Sequence, residues 1–294
     1  GGINGAGDSL TLPKTRLKKL IANSGDLVAN SGDIDGNFHA LKDQQWQVIH
    51  RGKLPGSGEW SHQYADPGNT ACSEDIRVSG NLKLQWYGKP GPYRMFDRHS
   101  YTTAPVYSGG RLFTLGEKIL YANDAYNGRL LWEKELPSLE PRVNLPRDCG
   151  YMITDRDHVY LAIENHCMKV NARSGNTETQ FNCPTPDDDH DYNWGYVAIA
   201  DQLLFGSSVR SGNFYTEGRG PWYDDSGFNN AQDSHKVLSD CLFAMDLAGN
   251  SQAWKYNGVI INSTITIGGD RIYFVENRNP EVLQDKARRL SGGK

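Results

Sequence analysis

The chain has 294 residues, a formal net charge of −4, and a composition that is 37% hydrophobic and 11% aromatic. The slightly acidic balance gives no electrostatic case for nucleic acid as a partner, and no apolar run approaches the roughly 20 residues of a membrane span. The 32 glycines and the aromatic content favour many short strands joined by tight turns.

The first hundred residues predict little regular structure. Residues 1–18 are Gly-rich and then basic, which predicts a flexible lead-in. Residues 19–50 carry a weak strand–turn–strand unit, and residues 52–100 predict a long connection with one strand at Leu82–Trp86. Because the chain begins at Gly1 and ends part-way through a unit, we expect an excerpt or processed segment that has further domains or blades of a longer chain as partners.

One strand–turn–strand unit then occurs three times. In each copy an alternating apolar run ends in Asp or Asn, a residue suited to positive φ closes the turn, and an aromatic residue follows in the next strand. The copies span 119–132, 242–254 and, in a worn form, 168–175 running on to Phe181. We expect Trp132 and Trp254 to pack flat between neighbouring sheets, while the turn carboxylates fix the turns.

The spacing of the preceding turns sets the size of the unit. Gly110, Asp157 and Asp201 are 47 and 44 residues apart, close to the roughly 40–50 of a four-stranded blade. From Asp201 to Gly269 is 68 residues, which fits an insertion at about 210–240. The prediction is an all-β chain, a β-propeller of four-stranded antiparallel blades in a partial ring over 19–294. The blades are expected at about 19–50, 101–137, 149–183, 194–257 and 260–276.

Two motifs resemble a known family. The pattern L-Y-A-x-D-A-x-x-G-x-x-x-W at Leu120–Trp132 resembles the repeat of pyrroloquinoline-quinone-type propellers, and Trp60–Ser73 is similar to the segment that often opens them. That superfamily includes quinoprotein alcohol dehydrogenases and a bacterial outer-membrane assembly lipoprotein. The stretch 60–280 resembles uncharacterised bacterial quinoprotein-like propellers, some of them joined to other domains. We therefore expect a PQQ-like repeat propeller in a periplasmic or secreted location.

The positions of the cysteines indicate whether a quinone cofactor is expected. The resemblance implies that a quinone-dependent dehydrogenase would carry adjacent cysteines, an Asp base and a Glu/Asn calcium set, whereas this sequence has no Cys-Cys pair. We therefore expect no quinone cofactor. The five cysteines fit either buried thiols or one or two disulfides.

Candidate ligand-binding residues stand where the innermost strand of each blade is expected to begin. In a propeller these positions surround one mouth of the central channel. Arg98 is suited to hold an anion and His99 to shuttle a proton, which makes these two the candidate catalytic residues. The alternative is that the charged residues pair with each other or cap loops, and that His62 simply packs. The candidates are Arg98, His99, Asp148, Trp194, Asn262 and His62.

Two further segments leave alternatives open. The acidic run at 187–191 suits calcium in its ligand type, but its spacing does not match an EF-hand loop, and a solvated acidic loop is the other interpretation. The aromatic residues at 212–223 suit stacking on sugar rings or folding onto their own blade.

Two functional hypotheses follow. The first is a non-catalytic module that binds a protein or a glycan at the channel mouth. The second is an enzyme that acts on a polysaccharide or another extracytoplasmic substrate through the mouth residues. A quinone-dependent dehydrogenase is a weaker third.

Overall fold

A computed structural model describes residues 37–42, 45–50, 55–84, 86, 94, 103–137, 151–186, 188, 190–211 and 238–278, the first two ranges by their backbone only. Within these ranges the fold is antiparallel β-sheet with one turn of 3₁₀ helix at Asn262–Thr264. None of the described helical structure has the length and apolar character needed to cross a bilayer.

Sixteen strands are described. Strands β1 (Asn37–Lys42) and β2 (Gln45–His50) form a separate hairpin. The first four-stranded sheet contains β3 (Val106–Ser108), β4 (Arg111–Gly116), β5 (Ile119–Asp124) and β6 (Leu130–Glu135). The second contains β7 (Met152–Thr154), β8 (His158–Ile163), β9 (His166–Asn171) and β10 (Thr177–Asn182). The third contains β11 (Tyr192–Ala200), β12 (Leu203–Arg210), β13 (Leu238–Asp246) and β14 (Ser251–Ile261), and β15 (Thr266–Gly268) pairs with β16 (Arg271–Tyr273).

Each sheet is a meander in which successive strands are neighbours. The first strands of consecutive sheets, β3, β7 and β11, lie beside one another, which places them innermost. Each sheet therefore radiates outward from its first strand, as in a propeller. The fold is an all-β propeller in which the described residues supply three complete blades and two strands of another.

The cores lie between the sheets rather than within them. One core joins Phe113 and Leu120 of the first sheet to Val159 and Leu161 of the second. Corresponding cores join the second sheet to the third and the third to β15–β16. An isolated sheet would leave both faces in water, so each sheet depends on its neighbours for burial of its apolar side chains.

A tryptophan ties the first two sheets together, as the repeat predicts. Trp132 of β6 donates its Nε1–H to the carbonyl of Ala172, 3.0 Å away, in the β9–β10 turn. Its ring lies against Gly175, where an added Cβ would come within 2.8 Å of it. Trp86 repeats this contact on the first sheet, since its Nε1–H donates to the Ala125 carbonyl at 2.9 Å. The ring of Trp86 lies in the same way against Gly128.

Two local expectations differ from the structure. Residues 82–84 and Trp86 form no strand, and Leu82 and Leu84 are exposed. In the worn repeat, Thr179 of β10 pairs with Lys169 of β9. In the first sheet the corresponding pair is Trp132 with Ala122, so Thr179 occupies the position of the tryptophan. The aromatic residue Phe181 lies two residues further on and is buried between the second and third sheets. In this copy the aromatic residue therefore lies in the core between the second and third sheets, and not on the turn of the third sheet.

Candidate functional site

The first strands define two faces of the propeller, and each sheet-bound candidate can be placed on one of them. We call the face where these strands begin the leading face and the opposite one the trailing face. Arg98, His99 and Asp148 lie outside the described residues. Trp194 and Asn262 lie towards the leading face, near the start of β11 and the end of β14.

Trp194 is enclosed between the second and third sheets. Its side chain is fully buried and packs edge-on against Phe243, with ring centroids 4.8 Å apart and an interplanar angle of 85°. Its backbone N–H donates to the carbonyl of Glu164 in the β8–β9 turn at 2.6 Å. Its indole Nε1–H is buried without a hydrogen-bond partner in the described part of the chain. Trp194 therefore joins two sheets at the leading face through its ring.

Asn262 lies on the opposite side of the third sheet and is also buried. Its Oδ1 accepts hydrogen bonds from the hydroxyls of Ser207, at 3.1 Å, and Ser239. The Ser207 hydroxyl accepts in turn from the backbone N–H of Tyr196 at 2.8 Å. Satisfied buried networks of this kind fix the packing around them, so this side chain holds the chain leaving β14 against the sheet.

His62 lies at the trailing face. Its Nε2 accepts a hydrogen bond from the backbone N–H of Ile199 at 3.1 Å. Ile199 is five residues beyond Trp194 on β11, a separation of about 16 Å along an extended strand. The structure therefore does not bring His62 together with Trp194.

The hydrogen bonds of His62 define its tautomer. Because Nε2 is an acceptor, Nδ1 carries the proton and donates to the Ser61 hydroxyl at 2.7 Å, and that hydroxyl donates to the Ala65 carbonyl at 3.2 Å. Burial lowers the pKa of His62 to about 4, with the Asp66 carboxylate acting in the opposite direction. His62 is therefore a neutral, fully hydrogen-bonded side chain and is not available as an acid or base.

The segment around His62 crosses the inner edges of several sheets. We call residues 59–70 the strap. Trp60 exchanges two backbone hydrogen bonds with Tyr107 of β3, at 3.0 and 2.7 Å, and the Ser61 carbonyl accepts from the N–H of Thr154 at the end of β7, at 2.9 Å. Successive strap residues therefore contact the first sheet and then the second.

The strap continues to β15. The Pro67 carbonyl accepts from the N–H of Ile267 at 2.9 Å. The Asn69 side-chain amide donates to the Ile265 carbonyl at 2.9 Å. Together with the bond from Ile199 to His62, these contacts connect one twelve-residue segment to the first strand of every described blade.

A polar network occupies the leading face of the third sheet. Arg210, at the end of β12, pairs with Asp240 of β13. The Tyr192 hydroxyl lies 3.1 Å from Asp240 and 2.8 Å from Asp188. The Nδ1 of His190 lies 3.2 Å from the same Asp188 oxygen, Oδ2, and the His190 and Asp188 side chains are 45% and 33% exposed. This is a preorganised set of donors and acceptors, and its Tyr192 lies two residues before Trp194, a predicted mouth residue.

The network shifts the pKa values of Asp188 and Tyr192. Burial raises the pKa of Asp188, but hydrogen bonds from Tyr192 and His190 outweigh that effect, and the net shift is downward. Burial and the two carboxylates raise the pKa of Tyr192. The Arg210 Nη1 donates to His190 Nε2 at 3.4 Å, so the lone pair of that nitrogen is engaged by a cation. The contact between Asp188 and His190 therefore resembles a catalytic Asp–His pair. Because Arg210 occupies the other ring nitrogen, His190 has no free nitrogen to act as a base.

The grouping of potential metal ligands and the pairing of the cysteines can be read from the described residues. No three His, Cys, Asp or Glu side chains among them are grouped to share a metal ion. Of the acidic run at 187–191, the described Asp188 is taken up by the polar network, while Asp187 and Asp189 lie outside the described residues. Four described cysteines, Cys72, Cys167, Cys183 and Cys241, are free thiols.

Comparison with known proteins gives distant structural similarity. The sequence matches no protein-family model and no curated protein. The quinohemoprotein alcohol dehydrogenase ADHIIG from Pseudomonas putida HK5 is similar at 16% identity and a TM-score of 0.44, over 68% of this chain and 27% of that one. The quinohemoprotein alcohol dehydrogenase from Comamonas testosteroni is similar at 12% identity and a TM-score of 0.42, again over 68% and 27%. BamB from Moraxella catarrhalis is similar at 14% identity and a TM-score of 0.34, over 86% of this chain and 61% of that one.

The chain thus spans about a quarter of the length of the two dehydrogenases. At these similarities the fold assignment rests on the strand pairing and the inter-sheet cores described above.

Sequence patterns did not indicate the polar network or the role of the strap. Arg210 and Asp240 are 30 residues apart and belong to no repeat, so only the β12–β13 pairing brings them together. The strap lacks strand periodicity because it bonds to the sheets through a mixture of backbone and side-chain groups. The Trp60–Ser73 motif was the one signal that marked it.

Proposed function

We propose that this chain is a non-catalytic propeller module of the quinoprotein-like repeat type, which binds a glycan or a protein segment at its leading face. The observation that carries the proposal is the Arg210–Asp240–Tyr192–Asp188–His190 network. It presents oriented, partly exposed polar groups at the position where a propeller gathers its channel mouth.

Binding is favoured over catalysis because two described histidines, the candidate His62 and the network residue His190, are already engaged. His62 is neutral and hydrogen-bonded on both nitrogens, and His190 is held between a carboxylate and a guanidinium. An acid–base catalyst needs a nitrogen or oxygen that is free to exchange a proton with substrate. Arg98, His99 and Asp148 belong to this proposal as ligand-binding residues of the same mouth, and so does a periplasmic or secreted location.

The test is a binding screen with matched variants. Purified protein, His190→Ala and Arg129→Ala are applied to a glycan microarray and to a library of immobilised peptides. Arg129 is exposed in the turn between β5 and β6 on the trailing face, so it controls for loss of a surface cation. We expect a ligand that wild type and Arg129→Ala retain and that His190→Ala binds at least tenfold more weakly, with unchanged melting temperatures.

Two results would contradict the proposal. Equal binding by all three proteins would place the ligand elsewhere on the molecule. Release of new reducing ends from a bound glycan would show that the mouth is an active site and would favour the enzyme hypothesis.

A further inference from the structure

The strap is held to the blades differently from the way the blades are held to one another. Its contacts with the first strands include the hydrogen bonds of seven strap residues, namely Glu59, Trp60, Ser61, His62, Pro67, Gly68 and Asn69. The three cores between the described sheets contain no strap side chain. The strap can therefore leave the inner strands without unpacking any of those cores, a local opening distinct from global unfolding.

One of these contacts depends on a titratable group. The bond from the Ile199 N–H requires a lone pair on Nε2 of His62, and a protonated imidazole has none to offer. The buried Nδ1–H is already used on Ser61. A proton added at Nε2 would therefore point at the Ile199 N–H inside a buried site. Two hydrogen-bond donors would then face each other with no acceptor between them.

The surroundings of His62 provide little compensation for that charge. Among the described residues, Asp66 on the strap itself is the charged group that acts on His62. The third sheet presents a backbone N–H, and the second sheet presents the Thr154 N–H to the neighbouring Ser61 carbonyl. Burial outweighs Asp66 and lowers the pKa of His62 to about 4.

We propose that the strap is an acid-released plug on the trailing face: protonation of His62 breaks its bond to Ile199 and frees the strap from the inner strands while the sheets stay packed. Above pH 6.5 both the seated and the released imidazole are neutral, and the plug is seated. As the pH falls from 6.5 towards 4, the imidazole of the released strap is protonated while that of the seated strap stays neutral, because burial lowers the pKa of the seated His62. The released form therefore gains population. The strap is therefore released from the trailing mouth more often at acidic pH than at neutral pH.

The experiment is amide hydrogen exchange followed by NMR at pH 7.5 and pH 5.0, with each rate corrected for the intrinsic effect of pH. The reporter amides are those bonded to the strap: Thr154, Ile199 and Ile267. The reference amides are those of β9 and β13. We expect the reporters to lose protection by a factor on the order of ten at pH 5.0, while the reference amides keep theirs.

Variants separate the titration of His62 from its packing. His62→Gln keeps an acceptor for the Ile199 N–H but does not titrate, so the reporters should then be equally protected at both pH values. The control is His166→Gln, since burial also lowers the pKa of His166 but this residue lies on β9. This variant should respond to pH like wild type.

Three outcomes would overturn the proposal. The first is pH-independent protection of the reporters in wild type. The second is a joint loss of protection by the reporters and the reference amides, which would mean global unfolding. The third is a pH response that persists in His62→Gln.

Discussion

Trp132 joins two sheets through two kinds of contact made by one side chain. Its indole N–H satisfies the Ala172 carbonyl, and its ring covers the backbone at Gly175. The same ring also packs near Phe113, with centroids 5.9 Å apart. Removal of this side chain would leave both an unpaired carbonyl and a cavity between the first two sheets.

We expect Trp132→Ala to lower the free energy of unfolding by about 3 kcal/mol, because a large interface side chain and its hydrogen bond are lost together. Trp132→Phe should recover most of that loss, since it restores the ring but not the N–H. The measurement is urea unfolding followed by circular dichroism. Leu131→Ala, one residue earlier on β6 and 42% exposed in wild type, is the control and should change stability by less than about 0.5 kcal/mol. Equal effects of the two alanine variants would contradict the packing role.

Sequence patterns predict some residue roles much better than others. The role of Trp132 could be predicted because its distance from the turn Asp is repeated at Trp254. The role of His62 could not, because a single histidine gives no sign of which backbone N–H it will meet 137 residues away. Trp194 was assigned to the mouth from its position before an inner strand, and the structure adds that its ring is enclosed.

At the scale of elements, the turns between the third and fourth strands share one construction, and in the first two sheets these turns also receive a tryptophan ring. In the first sheet the Asp124 carboxylate accepts from the N–H of Tyr126 at 2.8 Å, and in the third Asp246 accepts from Ala248 at 3.0 Å. Gly175 closes the corresponding turn of the second sheet with a φ of 73° and leaves room for Trp132. The turn glycine therefore has two separable roles, conformation and space.

Two glycine substitutions separate these roles. Gly269→Ala tests conformation alone, because Gly269 has a φ of 59° and nothing within 4 Å of an added Cβ. We expect it to cost about 1 kcal/mol. Gly175→Ala should cost about 2–3 kcal/mol, since it also displaces Trp132. Chemical denaturation of both variants gives the comparison.

A double mutant provides the control. In a Trp132→Ala background the ring is gone, so Gly175→Ala should cost no more than Gly269→Ala. A cost of Gly175→Ala that stays at 2–3 kcal/mol in that background would show that the backbone alone, and not the tryptophan, requires glycine there.

At the scale of the whole molecule, the architecture could be predicted because it is repetitive. Turn positions 47 and 44 residues apart predicted four-stranded units, and the described residues form three four-stranded antiparallel sheets. The strap could not be predicted as a contact across every blade, since its bonds join residues up to 200 positions apart without a repeated pattern.

The composition of the whole chain also makes a prediction about redox chemistry. No two cysteines are adjacent in the 294 residues, and the resemblance implies an adjacent pair in a quinone-dependent dehydrogenase. We expect that protein incubated with pyrroloquinoline quinone and calcium and then desalted retains no quinone absorbance and gains no dye-linked alcohol oxidation. Stoichiometric quinone that survives desalting would contradict this expectation.

The order of contacts along the strap has a mechanical consequence. Trp60, Ser61, His62 and Pro67 contact the four inner strands in the same sequence in which they occur in the chain. A pulling force applied at residue 55 would therefore load these contacts one after another rather than together. Each step breaks only one or two hydrogen bonds, so the strap would peel away at low force while the sheets, which share their load across broad apolar interfaces, resist extension.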